Sequence, residues 1–271
     1  MPIDTGAIAN RLVAAYDSAT TLAPFAASDP EFDVDAAYDV LRAIEARRIA
    51  GGWTPVGRKI GFTNRTIWPR YGVYVPMWAS MWAHTVHFAQ ADRATLALAP
   101  FVQPRIEPEV VFKLKAPVPP TADALAALAC VEWLAAGFEI VQSHFPDWKF
   151  AAADCTAAFG LHGALVVGAP VPVTDANRAW LAAMLPAFGL ALRRGNALID
   201  TGVGANVLDS PALALVHLAQ VLAQQPRSRP LGAGEIITTG TITDAWPVAP
   251  GETWSSDYGA LALPGITLTL T

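Results

Sequence analysis

Sulfur, charge and histidine are all scarce in this chain, and each scarcity closes off a class of function. Two cysteines among 271 residues, Cys130 and Cys155, cannot staple a chain of this size and do not form a close metal pair. They are expected as buried thiols of a reducing cytoplasm. Only 15% of the residues are charged, 18 basic against 23 acidic, for a formal net charge of −5. The basic residues are scattered, and the one dense spot, Arg227 to Arg229, lies beside prolines, so the electrostatic footprint of a nucleic-acid binder is missing. No apolar stretch reaches the roughly 18 residues of a membrane span. The segment Met1 to Ala9 carries Asp4 and lacks the basic start and apolar run of a signal peptide, so a cytoplasmic location is expected. There is no G-x-S-x-G, no Walker loop and no Rossmann fingerprint. Of the five histidines, His84 and His87 are three apart and fall on opposite faces of a strand, while His144, His162 and His217 stand singly and read as structural.

What the chain does have is apolar mass. The AVILMFWYC residues make up 53%, with nine tryptophans, and mean hydropathy is +0.35. A sizeable core is available, and apolar surface in excess of one core points to a homo-oligomer. Helical spacing at Ile8, Leu12 and Tyr16, then at Tyr38, Leu41 and Ile44 from a start near Asp33 to Gly51-Gly52, predicts two N-terminal helices. From Lys59 onward short β-like runs take over: His84 to Phe88, Arg105 to Leu114, Phe138 to Gln142, Ala164 to Val167, and Gly189 to Arg194 paired with Ala197 to Thr201 across a Gly195-Asn196 turn. Further runs cover Glu235 to Thr239, Thr253 to Tyr258 and Ile266 to Leu270. Helices are expected at about Thr121 to Ala136, Asp175 to Leu185 and Ser210 to Ala223, with Thr121, Asp175 and Ser210 as N-caps. Strands and helices do not alternate regularly, which argues for α+β with a mixed sheet rather than a doubly wound one. The organisation expected is an N-terminal helical segment over 1–56 and a strand-rich body over 57–271, or one continuous domain.

The chemistry-bearing segment is Gln103-Pro104-Arg105-Ile106-Glu107-Pro108-Glu109. In a strand, residues two apart share a face, so Glu107 and Glu109 project side by side while Ile106, Val110 and Phe112 face the other way. Two carboxylates so close repel, and a divalent cation removes that cost. Glu139 offers a third carboxylate in another apolar strand. Three oxygen ligands without a His or Cys cluster suit Mg²⁺ or Mn²⁺ better than Zn²⁺. On spacing alone an exposed strand face fits these glutamates better than a metal site does, because Glu-x-Glu is common.

Four motifs occur in order: Gly57-Arg58-Lys59-Ile60-Gly61-Phe62-Thr63, the Gln103 to Glu109 segment, Ala136-Gly137-Phe138-Glu139-Ile140-Val141, and Leu231-Gly232-Ala233-Gly234-Glu235-Ile236-Ile237-Thr238-Thr239-Gly240-Thr241-Ile242-Thr243. Together they resemble the fumarylacetoacetate hydrolase superfamily, in its branch of 2-oxopent-4-enoate hydratases and 4-oxalocrotonate decarboxylases. The resemblance implies a curled, mixed β-roll with N-terminal and outer packing helices, holding Mg²⁺ or Mn²⁺ through Glu107, Glu109 and Glu139. It implies that Lys59 serves in acid–base work and that its pKa falls beside a cation. It implies further that Thr239, Gly240 and Thr241 line the substrate pocket and that Asp154 supports the metal site from behind, or else caps a loop. Arg105, on the strand face that the ligands share, is placed to balance their charge and meet substrate.

The pattern also breaks. Hydratases of this branch carry a carboxylate shortly after the Gly-Val stretch, where this chain reads Tyr71-Gly72-Val73-Tyr74-Val75-Pro76-Met77-Trp78-Ala79-Ser80-Met81-Trp82. Trp78 and Trp82 either wall a more apolar pocket or pack under a loop. The first functional expectation is a lyase hydrating a 2-oxo-4-enoic acid. Behind it stand decarboxylation of a 2-oxo-enedioate, C–C hydrolysis of an acylpyruvate, and a non-catalytic subunit stabilising a partner enzyme of the same pathway.

Overall fold

The computed structural model describes residues 3–271. Two helices open it: α1 (Thr5–Asp17), capped by Asp4, and α2 (Val34–Ala50), whose N-cap Asp33 accepts from Ala36 N–H. Then come β1 (Pro55–Gly61), the single turn α3 (Trp68–Tyr71), β2 (Met77–Trp82), β3 (Val86–Phe88), β4 (Arg93–Leu96) and β5 (Arg105–Leu114). The middle of the chain forms α4 (Ala124–Ala129), β6 (Val131–Val141), α5 (Ala152–Ala157), β7 (His162–Val167), β8 (Val171–Pro172) and α6 (Asp175–Met184). The rest supplies β9 (Gly189–Arg194), β10 (Ala197–Val203), α7 (Pro211–Ala223), β11 (Ile236–Thr238), β12 (Trp246–Pro247), β13 (Thr253–Asp257) and β14 (Thr267–Leu270).

The larger sheet runs β2-β1-β11-β5-β6-β7-β3, with β12 on β5 and β8 on β6. It mixes parallel pairs (β1–β11, β3–β7) with antiparallel ones. The sheet curls, because Met81 on β2 shares one apolar cluster with Val111, Ala135, Leu165, Val167 and Ile236 from the strands across it. The five-stranded sheet β10-β9-β13-β14-β4 stands beside it. The main core fills the outer face of β5 and β6 (Ile106, Val110, Phe112, Phe138, Ile140) and continues into α7 and β13. Helices α1 and α2 build a second core with Phe145, Ala153, Ala157 and Phe159 of the α5 region. This is the mixed α+β roll expected from the motifs.

Several elements differ from the sequence reading. The helix expected over 121–136 ends at Ala129, and β6 begins at Val131 because its whole length pairs with β5. Its cap is Asp123, not Thr121, and α6 starts behind Thr174, whose N–H donates to Asn177 Oδ1. Residues 83–85 form a 3-10 turn, so the run at His84 is a strand only from Val86. Met77 to Trp82, which carried no strand expectation, is a fully buried one. The stretch Gly204–Ala223 is long and apolar enough for a membrane, but 61% of that window lies buried inside the fold, as in a core helix.

Candidate metal and substrate site

Register places the site. In the β5–β6 ladder Glu107 stands directly opposite Glu139, and Glu109 opposite Gly137. Alternation then turns all three carboxylates to the concave face, above the apolar layer of Val111 and Ala135. Each of Glu107, Glu109 and Glu139 offers an oxygen within 4.8 Å of the others. Tyr258 pins this part of the ladder from behind: its hydroxyl donates to Glu109 O (2.6 Å) and accepts from Gly137 N–H (3.3 Å).

Lys59 reaches the cluster from β1, with Nζ 3.0 Å from Glu139 Oε2. Gly160 gives it room, since a Cβ there would lie 3.1 Å from Lys59 Cδ. His162, on β7, places Nδ1 2.8 Å from Glu139 Oε1, while its Nε2 meets the Thr85 hydroxyl at 2.8 Å. An ionised carboxylate only accepts, so Nδ1–H donates to Glu139, while the Thr85 hydroxyl that meets Nε2 also donates to Trp82 O at 3.0 Å. Gly240 N–H donates to Glu109 Oε2 at 2.7 Å.

Both Glu109 and Glu139 are completely buried. Burial raises Glu109 far above the ordinary carboxylate range, helped by Glu139 and Glu107. Glu107 is pushed up to about 7, first by burial and then by Glu139, against the pull of Lys59. Glu139 goes the other way: burial opposes its charge, yet Lys59 and His162 together hold it down at about 2. The lysine was expected to lose basicity. Burial does work in that direction, but Glu139, Glu107 and Glu109 outweigh it and hold Lys59 as an ammonium.

The donor set fits a hard divalent cation on two counts. Glu109 Oε1 is a buried oxygen without a hydrogen-bond partner, a costly state unless something positive takes it. Glu139 Oε2 has only the Lys59 ammonium beside it, at 3.0 Å. And the three converging donors are all carboxylate oxygens.

A cavity of about 210 Å³ opens above Glu107 and Lys59, lined also by Arg70, Arg105, Met77, Phe62, Gly240 and Thr241. Arg105 lies over the Trp148 ring, 4.2 Å from its centroid, on the side of Glu107. Not every expected residue faces this space. The Thr239 hydroxyl donates to Val110 O and is buried, so it braces β5 and is not among the residues lining the cavity. Asp154 accepts from Phe25 and Ala26 N–H through Oδ1 and from Ala151 N–H through Oδ2. Two of these bonds tie the segment after α1 to α5, the third caps α5 itself, and none reaches a glutamate. Trp78 stacks on Tyr38, and Trp82 meets Trp53 edge-on; both are packing residues. The site residue that sequence reasoning passed over is His162.

The pocket thus lies over three converging carboxylates, two of them fully buried, and a buried lysine. The family model of the fumarylacetoacetate (FAA) hydrolase C-terminal region matches residues 71–262, and the chain belongs to this family. Among its curated relatives are a 4-oxalocrotonate decarboxylase of Pseudomonas sp (32% identical over 233 residues, 84% of each chain) and a 2-hydroxyhexa-2,4-dienoate hydratase of Comamonas testosteroni (31% over 243 residues, 89% of each). A 4-oxalocrotonate decarboxylase from Pseudomonas putida G7, solved in complex with magnesium and adipate, shares the fold with a TM-score of 0.88 at 24% identity, covering 98% of this chain and 97% of that one. The hydratase–decarboxylase branch expected from the motifs is thus the one these relatives occupy.

Proposed function

We propose that the protein is a metal-dependent lyase of a small 2-oxo acid, and that Glu107, Glu109 and Glu139 hold its Mg²⁺ or Mn²⁺. The observation that carries the reading is the convergence of three carboxylates, Glu107, Glu109 and Glu139, at the floor of the pocket, with the buried Glu109 Oε1 left without a partner. A cation held by these three glutamates would supply polarisation of the 2-oxo group, which hydration and decarboxylation both need. Glu139, kept ionised by Lys59 and His162, is the constant member of the triad. Lys59 is the proton carrier: buried, fixed by Glu139 and lining the pocket, its ammonium delivers the proton to the substrate's carbon chain. Its pKa would fall, letting it take the proton back, once a cation drew off the glutamates' charge. Gly240 N–H fixes the rotamer of Glu109, and Arg105 and Thr241 bound the pocket's polar wall.

Hydration of a 2-oxo-4-enoate is the first assignment, supported by the several hydratases among the relatives. A second reading, decarboxylation of a 2-oxo-enedioate, is favoured by Met77. This apolar side chain lines the pocket within the stretch where the branch's hydratases carry an acid. Loss of CO₂ breaks the C–C bond to the distal carboxyl and moves its electron pair toward the 2-oxo oxygen, with no activated water required. An apolar wall beside a departing carboxylate favours that loss by withholding solvation. The two are separated by incubating the Mg²⁺-loaded protein with 2-oxopent-4-enoate and with a 2-oxo-enedioate, following absorbance and CO₂ release. Turnover of neither sinks the lyase reading and leaves a non-catalytic partner subunit.

We treat residues 1–56 and 57–271 as one continuous unit in a cytoplasmic homo-oligomer. Exposed Trp180, Leu198 and Val203 around the smaller sheet support assembly. Light scattering that gave a stable 28.6 kDa monomer at micromolar concentration would contradict it.

A further inference from the structure

A second cavity lies against the first. It has a volume of about 390 Å³ and is bounded by the start of α2, the 72–76 loop and the end of α7. The two share Phe62 and Met77 as lining residues, so these side chains form the partition between them. The partition is thin and adjustable. Met77 is unbranched with three rotatable bonds, and it lies across two glycines. A Cβ on Gly61 would stand 2.6 Å from Met77 Cε, and one on Gly160 3.4 Å from it. The absent side chains leave the thioether somewhere to lie.

The chamber's chemistry differs from that of the metal pocket. Val34, Tyr38, Val73, Val75 and Val221 supply apolar walls, and neither lysine nor arginine lines it. Its one carboxylate is Asp35, which repels an anion. Of its amides, Gln225 is engaged, accepting from Trp78 Nε1 at 2.9 Å. The loop that roofs it is itself apolar and open to water, with Tyr74 81% and Val75 55% exposed, a costly arrangement that an apolar occupant relieves.

We propose that this chamber is a tail subsite: 2-oxo acids carrying an uncharged alkyl or aryl tail place the oxo-acid end at the glutamates and thread the tail past Met77 and Phe62. The proposal rests on the 2-oxo acid reading given above. It makes Met77 a specificity residue, and it excludes long substrates that end in a second carboxylate.

The test measures metal-dependent deuterium exchange at C3 by NMR for 2-oxobutanoate, 2-oxooctanoate and the eight-carbon 2-oxo dicarboxylate. In the wild type, kcat/KM for 2-oxooctanoate should exceed that for the dicarboxylate by about tenfold or more, the scale on which an apolar pocket discriminates. Met77→Ala should raise the ratio of long to short acid. Val34→Trp, which fills the chamber from the partly exposed start of α2, should lower 2-oxooctanoate about tenfold and leave 2-oxobutanoate within about twofold. Equal wild-type rates on the two eight-carbon acids, with exchange of 2-oxobutanoate intact, would overturn the chamber alone; this comparison needs no variant. Absence of exchange with every acid in the wild type would overturn the 2-oxo acid reading itself.

Discussion

Glu139 and His162 act as one unit, and their pairing shows why a motif can be legible while its support is not. The three glutamates stand out in the sequence because strand alternation and cross-strand pairing act on short spacings. His162 joins them only through a bulge: Ile140 pairs with Ala164, but Val141 pairs with His162 instead of Gly163. That shift of one residue turns the imidazole to the glutamate side, and no periodicity in the sequence announces it. The expected consequence is that His162→Asn weakens Mg²⁺ or Mn²⁺ binding about 10–100-fold, as loss of a ligand's hydrogen-bond partner does. Glu109→Ala or Glu139→Ala should weaken it by more than about 100-fold. Calorimetric titration reads both, and near wild-type affinity in the glutamate variants would remove the site. Lys59→Ala should slow metal-dependent exchange at C3 of a 2-oxo acid by ~10²–10⁴-fold with metal affinity largely kept. Exchange indifferent to Lys59 would take the proton carrier out of the mechanism.

At the scale of elements, the sequence misled where local propensity and tertiary pairing disagree. The run from Thr121 to Ala136 is rich in alanine and leucine, the best helix formers, so its helical reading extended too far. In the fold only Ala124–Ala129 is helical, because a partner ten residues long, β5, is available to β6 and ladder hydrogen bonds win over propensity. Met77 to Trp82 was opaque for the opposite reason. Buried on every residue, it lacks the alternation that marks a half-exposed strand. Tyr258 exposes how the two long strands are held where it matters. Its hydroxyl meets both Glu109 O and Gly137 N–H, and the residue is buried to 1% exposure. Tyr258→Phe leaves those backbone groups short of a partner at the one place where β5 and β6 must hold Glu109 in register. It should cost about 1–3 kcal/mol of stability, read by urea unfolding, and should lower metal affinity as well. A loss of stability with unchanged metal affinity would show that the clamp serves the fold only.

For the molecule as a whole, the buried triad sets how stability without metal depends on pH. Glu107 is held at about 7 and Glu109 well above the ordinary value, chiefly by burial. The folded state therefore binds protons that the unfolded chain, with ordinary carboxyls near 4.5, has already lost. Stability from these groups is full below the unfolded value and falls as pH rises through about 7. Glu139, held at about 2, titrates below this window, and Lys59, raised by its carboxylates, titrates above it, so neither changes the slope. His84, His87, His144 and His217 do change it in the opposite sense, since burial lowers each of them and stability from them rises with pH. The measurement is therefore a difference: melting temperatures of metal-free wild type and of Glu107→Gln/Glu109→Gln between pH 5 and pH 7.5. The variant should gain on the wild type as pH rises. Adding Mg²⁺ should restore the wild type most at the alkaline end, where the cation displaces the fewest protons. Parallel pH curves for the two proteins would mean that the glutamates are ionised in the metal-free fold, with their mutual repulsion already relieved by Lys59.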